Sequence, residues 1–172
     1  MTLFLRRVVA YFVDSIVILA YLAAFTGIVL VTGLSLDMFG RLGQWAVIAV
    51  SVTLPVIVFF SVVEWLTGRS PGKWALGLEV RAQSSDMRPA ILPALLRNGV
   101  KFLPWEIAHA GIWTIPGQPF IDPPAMHNIV LFALSWSVVL VQIGLVAMTG
   151  RGIHDRVAGL LVVRRKPTPD AP

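Results

Sequence analysis

The chain has no cysteine and very little charge. Without a thiol there is no disulfide framework, no thiolate metal site and no cysteine nucleophile, although the absence is silent about compartment. Charged residues occupy 13% of the 172 positions, about half the share in an average soluble domain. Hydrophobic residues make up 56% and are concentrated. Three uncharged apolar stretches, Ser15–Leu36, Leu42–Val63 and Ile129–Thr149, are each edged by charge. A helix of about 22 residues spans about 33 Å, roughly the hydrocarbon thickness of a bilayer. A soluble core does not need several uninterrupted spans of this kind, so the sequence reads as a multi-pass membrane protein. The formal net charge is +5. Its basic residues flank the apolar spans, which points to topology control and anionic lipid and not to nucleic acid. Arg6 and Arg7 could open a cleaved leader, but Asp14 interrupts the apolar region behind them and no small-x-small cleavage site follows. The first span therefore reads as uncleaved.

Lysine and arginine placement orients the chain. Arg6 and Arg7 precede the first span, and Arg41 alone lies in the first loop. Arg69, Lys73, Arg81, Arg88, Arg97 and Lys101 follow the second span. The stretch Pro116–Asn128 has no lysine or arginine, whereas Arg151, Arg156, Arg164, Arg165 and Lys166 follow the third long span. This pattern expects both termini in the cytoplasm and a fourth crossing at about 91–115. That segment carries Arg97, Lys101, Glu106 and His109. Each central charge costs about 2.5–3.5 kcal/mol to insert, so it would not cross unaided. Arg97 and Lys101 are four apart on one helical face near the cytoplasmic end and are expected to reach headgroups. Glu106 and His109 lie deeper and need protein partners or water. The alternative is an amphipathic helix lying in the interface.

The expected fold class is an all-α membrane bundle of four transmembrane helices, three strongly apolar and one polar, with a small two-stranded cytoplasmic patch. A single domain is expected over 4–164, with spans at about 8–34, 43–65, 91–115 and 128–149 and a disordered tail at 165–172. Leu76–Ala82 alternates apolar and polar residues and Leu160–Val163 is a short aliphatic run, so both suit strands. A lone pair of strands is marginal in water and must lean on the helices. Pro55 should kink the second span, with neighbouring helices satisfying the carbonyl it frees. Trp65, Trp74, Trp105 and Trp113 read as interfacial anchors. Ala20/Ala24 and Ala23/Gly27 are small-residue pairs that permit close helix approach.

Few residues could carry chemistry. Arg7 and Asp14, seven apart, lie on nearly the same helix face. Asp14 at membrane depth is expensive unless paired, so it should face the bundle. It reads either as a cation or proton ligand or as a fixed ion pair with Arg7, Arg97 or Arg156. Glu64 closes the second span. Gly68-Arg-Ser-Pro-Gly-Lys73 resembles a phosphate loop only superficially: one residue between the glycines is missing and no Ser/Thr follows the lysine. Its glycines suit a tight re-entry, with Arg69 and Lys73 meeting lipid phosphates. Glu106-Ile-Ala-His109 has the spacing of a carboxylate-bridged metal site but occurs once, where such bundles need two. His154 and Asp155 are adjacent, and adjacent residues seldom point so as to bond each other. No acid–base–nucleophile set is evident, so neither enzymatic activity, metal nor cofactor is expected.

Three separated signatures coincide. Arg7-Val-Val-Ala-Tyr-Phe-Val-Asp14 opens the first span. Gly68-Arg-Ser-Pro-Gly-Lys73 and Gly77-Leu-Glu-Val80 follow the second. Gly152-Ile-His-Asp155-Arg-Val-Ala-Gly159 precedes the terminal strand. This ordered trio resembles the RDD family of prokaryotic membrane proteins over about residues 4–164. The arginine and two aspartates that name the family fall on Arg7, Asp14 and Asp155. Leu160 stands where the family usually has threonine. The resemblance implies a polytopic inner or plasma membrane protein. For members of the family, cation/proton exchange has been suggested, and others look like accessory subunits.

Two functions are therefore expected to compete. One is a small oligomeric cation/proton transporter or transporter subunit working through Asp14, Asp155, Glu106 and His109. The other is a non-catalytic scaffold or accessory subunit in which Arg7, Asp14 and Asp155 tie helix ends to the strand patch. A further idea is anionic-lipid recognition by Arg69, Lys73, Arg97 and Lys101. Homo-oligomerisation or assembly into a membrane complex is expected, with no nucleic-acid partner.

Overall fold

A computed structural model describes residues 1–36, 38–118 and 121–165. Helix α1, Leu3–Thr32, starts with the Thr2 hydroxyl accepting from Leu5 N–H at 3.3 Å. A second long helix comprises α2 (Arg41–Ile48), a π-helical turn (Ala49–Thr53) and α3 (Leu54–Thr67). The short helix α4, Pro71–Ala75, leads into strand β1, Leu78–Ala82. Helices α5, Ile91–Trp113, and α6, Met126–Thr149, follow, then the short α7, Ile153–Val157, and strand β2, Leu160–Arg164. α3 and α6 each stop where a glycine, Gly68 or Gly150, turns into the left-handed region and gives its N–H back to the carbonyl four residues earlier.

Among the described residues, three helices are long and apolar enough to cross a membrane: Leu3–Thr32, Arg41–Thr67 and Met126–Thr149. α5 is of similar length but its charges keep it out of that class. It is nevertheless the central element, packed on α3, α6, α7 and the start of the second long helix. Arg97 near its start reaches Glu64 at the end of α3. At its other end, Asn128 at the start of α6 donates to Gly111 O at 2.9 Å. α5 thus runs antiparallel to both α3 and α6. The start of α1 and the ends of α3 and α6 share one end of the molecule, here the polar end.

Pro55 cannot donate to the carbonyl four residues before it, that of Ser51. The π-helical turn absorbs the irregularity, and the Tyr21 hydroxyl of α1 donates to the Ser51 carbonyl. The expected kink is therefore a local widening of the helix, with the freed acceptor satisfied by a neighbour.

The strands form one antiparallel pair with Val80 opposite Val162 and Ala82 opposite Leu160. Alternation puts Leu78, Val80, Leu160 and Val162 on one face, where they pack with Ala10 of α1 as a buried cluster. Each such side chain contributes about 1.5–3 kcal/mol when fully buried, which is what holds a two-stranded sheet that water alone would not. A second cluster joins Val56 and Phe60 of α3 to Phe102 of α5. Elsewhere α1 has few close neighbours: its buried residues are Ala10 and Asp14. Ala20, Ala23 and Ala24 face outward. Trp65 and Trp74 are exposed at the polar end, and Trp105 is 42% exposed within α5. The expected tail lies outside the described residues except for Arg165, whose N–H is fixed on Gly77 O at 3.0 Å.

Candidate functional site at the polar end

The site is built where chain breaks bring helix ends together. Gly68 ends α3, and Ser70 caps α4 while Pro71 sets its first turn. Gly72 then lies against α1 so closely that a Cβ would sit 1.9 Å from the Ala10 carbonyl oxygen. This approach delivers two donors to Asp14: the Gly72 N–H at 2.8 Å and the Ser70 hydroxyl at 2.7 Å. Asp14 is 2% exposed and has no ion pair among the described residues. It does face the bundle, but the fixed pair expected with Arg7, Arg97 or Arg156 is not what holds it. Two hydrogen bonds to the carboxylate do that work.

Arg7 is committed elsewhere. Its guanidinium donates to Gly150 O and to Asp155 Oδ2, both at 2.5 Å, joining α1 to the α6–α7 turn. Asp155 in turn accepts from its own N-cap, Gly152 N–H, at 3.2 Å. Its other oxygen accepts from Arg97 Nε at 2.8 Å. Arg97 also spans both oxygens of Glu64, at 2.8 and 2.9 Å. Lys73 reaches Glu64 Oε1 at 2.7 Å and the Ser70 hydroxyl at 3.2 Å. Asn98 adds a third donor to Glu64 at 3.2 Å and also bonds Ser61 and Ala94 O. One continuous network therefore runs from Asp14 through Ser70, Lys73, Glu64, Arg97 and Asp155 to Arg7.

Burial makes this network matter. Glu64 and Asp155 are fully enclosed, and Arg97 and Lys73 are 2% and 6% exposed. The headgroup contacts expected for Arg97 and Lys73 are thus corrected: both cations are spent on buried carboxylates. Arg69 is half-buried at the turn and stays near the surface. Lys101 shares a helical face with Arg97, as its four-residue spacing implies, but that face points inward. Its ammonium lies over the rings of Tyr11, Phe60 and Phe102 at 5.2–5.4 Å.

His154 is 8% exposed, with Nδ1 2.6 Å from Gln142 Oε1 and Nε2 3.4 Å from Asp155 Oδ1. The adjacent pair does approach, contrary to the expectation for neighbouring residues, because the helical turn folds the imidazole back beside the carboxylate. Burial, reinforced by the Arg97 cation, pushes the imidazole down to about 3, so it is neutral at pH 7. Burial alone would raise the Asp155 carboxyl. The guanidiniums of Arg97 and Arg7 outweigh burial and hold it well below the usual carboxylate range.

Glu106 and His109 are apart from this network, towards the far end. Glu106 Oε1 accepts from the Thr53 hydroxyl and lies 3.3 Å from His109 Nδ1. Glu106 Oε2 is enclosed without a well-aligned donor. Among the described residues, no three His, Asp or Glu side chains gather as a metal site. Sequence reasoning missed the roles of Asn98, Ser61 and Gln142. Polar residues inside otherwise apolar helices were the available signal. The Lys73–Glu64 pair, nine residues apart across the α3–α4 turn, is equally silent in the sequence.

The family model described as RDD family matches residues 1–159. No curated protein and no solved structure matches the chain.

Proposed function

The chain belongs to the RDD family, and from that premise we propose that it is a non-catalytic membrane scaffold or accessory subunit. The carrying observation is that Asp14, Glu64 and Asp155 are each held by fixed protein donors. A carboxylate that exchanges a travelling cation needs a free coordination side; Glu64 accepts four bonds and Asp155 three, while Asp14 accepts two, from the fixed Ser70 and Gly72 donors. Such a buried, densely paired network suits a device that fixes helix ends in register.

In this reading the protein sits in the cell membrane with four crossings, α5 being the polar one. The contacts at both ends of α5 support that count, since Arg97 meets Glu64 and Asn128 meets Gly111. The polar end carries Arg6, Arg7, Arg69, Lys73, Arg81, Arg88, Arg151 and Arg156, so it is the cytoplasmic side, with both termini there. Anionic headgroups gather against Arg69 and its exposed neighbours. The outward face of α1, with Ala20 and Ala24, takes a second copy or a helix of a membrane complex.

Reconstitution tests the proposal. Vesicles holding the purified protein should show no pH-dependent monovalent cation flux above empty vesicles, and Asp14→Asn should lower the melting temperature. Flux that Asp14→Asn abolishes at unchanged melting would sink it. A second reading, the cation/proton transporter, draws on Glu106, whose second oxygen lacks an aligned donor within the bundle. It predicts flux that depends on Glu106 and not on Asp14.

A further inference from the structure

The polar end gathers four buried or half-buried cations against three carboxylates. These cations are Arg7, Lys73, Arg97 and Lys101, and the carboxylates are Asp14, Glu64 and Asp155. His154 is neutral. Arg7, Lys73 and Arg97 share Glu64 and Asp155, and Lys101 is the one of the four cations without an ion pair. Among the described residues its ammonium has no carboxylate within ion-pair distance and no hydrogen-bond acceptor. Three aromatic rings are partial compensation for a desolvated cation, and an anion is better.

Lys101 lies in the wall of a groove of about 660 Å³ between α1, α5 and α6, within the usual size range of small-molecule sites. The lining along α1 runs from Phe4 to Leu22, about 27 Å at the helical rise. α1 and α6 form its two rims and barely touch. Rim residues Leu19 and Trp136 are 63% and 67% exposed, so the groove opens sideways, where lipid chains surround the protein. The walls are mostly apolar; charged groups gather at the Lys101 end, where Arg7, Asp14, Lys73 and Arg97 also border the groove, and the Thr53 and Ser135 hydroxyls lie further along. A long apolar occupant with an anionic head complements such a groove, its head meeting the unpaired ammonium.

Depth selects its head. Lys101 is one helical turn, about 6 Å, further from the polar end than Arg97, which is already enclosed. A phosphodiester keeps its charge at every depth and favours the headgroup plane. A carboxylic acid sheds its charge in apolar surroundings and regains it beside a cation. We propose that this groove binds a long-chain fatty acid, its chain along α1 and its carboxylate on the Lys101 ammonium.

The test is quenching of Trp105 and Trp136, which line the groove, by a brominated long-chain fatty acid. The full chain is held in phosphatidylcholine nanodiscs. Wild type and Lys101→Arg should show saturable quenching, and Lys101→Met should bind at least tenfold more weakly. The brominated methyl ester, which has no charge, should bind wild type as poorly as the acid binds Lys101→Met. Equal binding of acid and ester by wild type, or of the acid by wild type and a folded Lys101→Met, overturns the site. Displacement of the acid by equimolar phosphatidylglycerol overturns the choice of occupant. If Lys101→Met does not fold, the acid–ester comparison on wild type decides.

Discussion

Asp14 accepts a backbone hydrogen bond from Gly72, 58 residues away, at 2.8 Å, and only a residue without Cβ allows that approach. Gly72→Ala must push α4 off α1, because its methyl would overlap the Ala10 carbonyl oxygen. Backbone cannot move aside like a flexible side chain. The expected loss is about 3 kcal/mol, combining overpacking with a stretched bond to a buried carboxylate. Gly99→Ala is the control, since a Cβ there meets nothing within 4 Å. It should be neutral or slightly stabilising in α5. Thermal unfolding in detergent reads both.

Arg97 is the hinge of the network because one planar guanidinium serves two carboxylates from different elements. Arg97→Met leaves Glu64 on Lys73 and Asn98, and Asp155 on Arg7, each short of a donor inside a closed site. Destabilisation of about 3 kcal/mol or more is expected. Arg97→Lys should recover less than half of that, as a single ammonium cannot span Glu64 and reach Asp155 together. Recovery to wild-type melting by lysine would mean that only the charge matters there.

Much of this arrangement was legible from sequence, and the gaps have physical reasons. The glycine, serine and proline of Gly68–Lys73 marked a tight re-entry, and alternation marked β1. Arg7, Asp14 and Asp155 were picked out as a set. Their pairing was not legible. Helical spacing put Arg7 and Asp14 on one face, yet Arg7 turns to Asp155 and Gly150 while Asp14 takes Gly72 and Ser70. A backbone N–H leaves no trace in a sequence, so a carboxylate satisfied by one looks unpaired. Likewise the four-residue spacing put Arg97 and Lys101 together but could not say that their shared side faces inward.

Acid should loosen the polar end in two stages. His154 is folded neutral, with its imidazole pushed from 6.5 down to about 3. Between those values the unfolded chain binds a proton that the folded chain refuses, so stability falls as pH drops through that window. The loss is on the order of a few kcal/mol. Asp155 is shifted downward too, from 3.8, and its contribution is lost only as pH falls below that value. His154→Asn keeps a small polar group near Gln142 and removes the first stage. Melting temperature against pH should then be flat from pH 6.5 to about 4 and fall below it. An unchanged decline would assign the first stage to another group.

The path of α5 can be read from outside the protein, because the chain has no native cysteine to interfere. Gln118 follows α5 at the far end, and Arg165 follows β2 at the polar end. Both are exposed. With four crossings, Gln118→Cys reacts with an impermeant maleimide on intact cells, and Arg165→Cys reacts only after lysis. If α5 instead lay in the interface, α6 would be the third crossing, with Gln118 on the cytoplasmic side and Arg165 outside. Three charges inside α5 make that a fair contest on insertion energy alone. The four-crossing reading draws on Arg97 spending its charge on Glu64 and Asp155, which would let the helix enter lipid neutralised at that depth. Arg97→Met should then still label in the four-crossing pattern wherever the protein accumulates. Reversal of the pattern in Arg97→Met would mean that the ion pair dictates threading as well as packing.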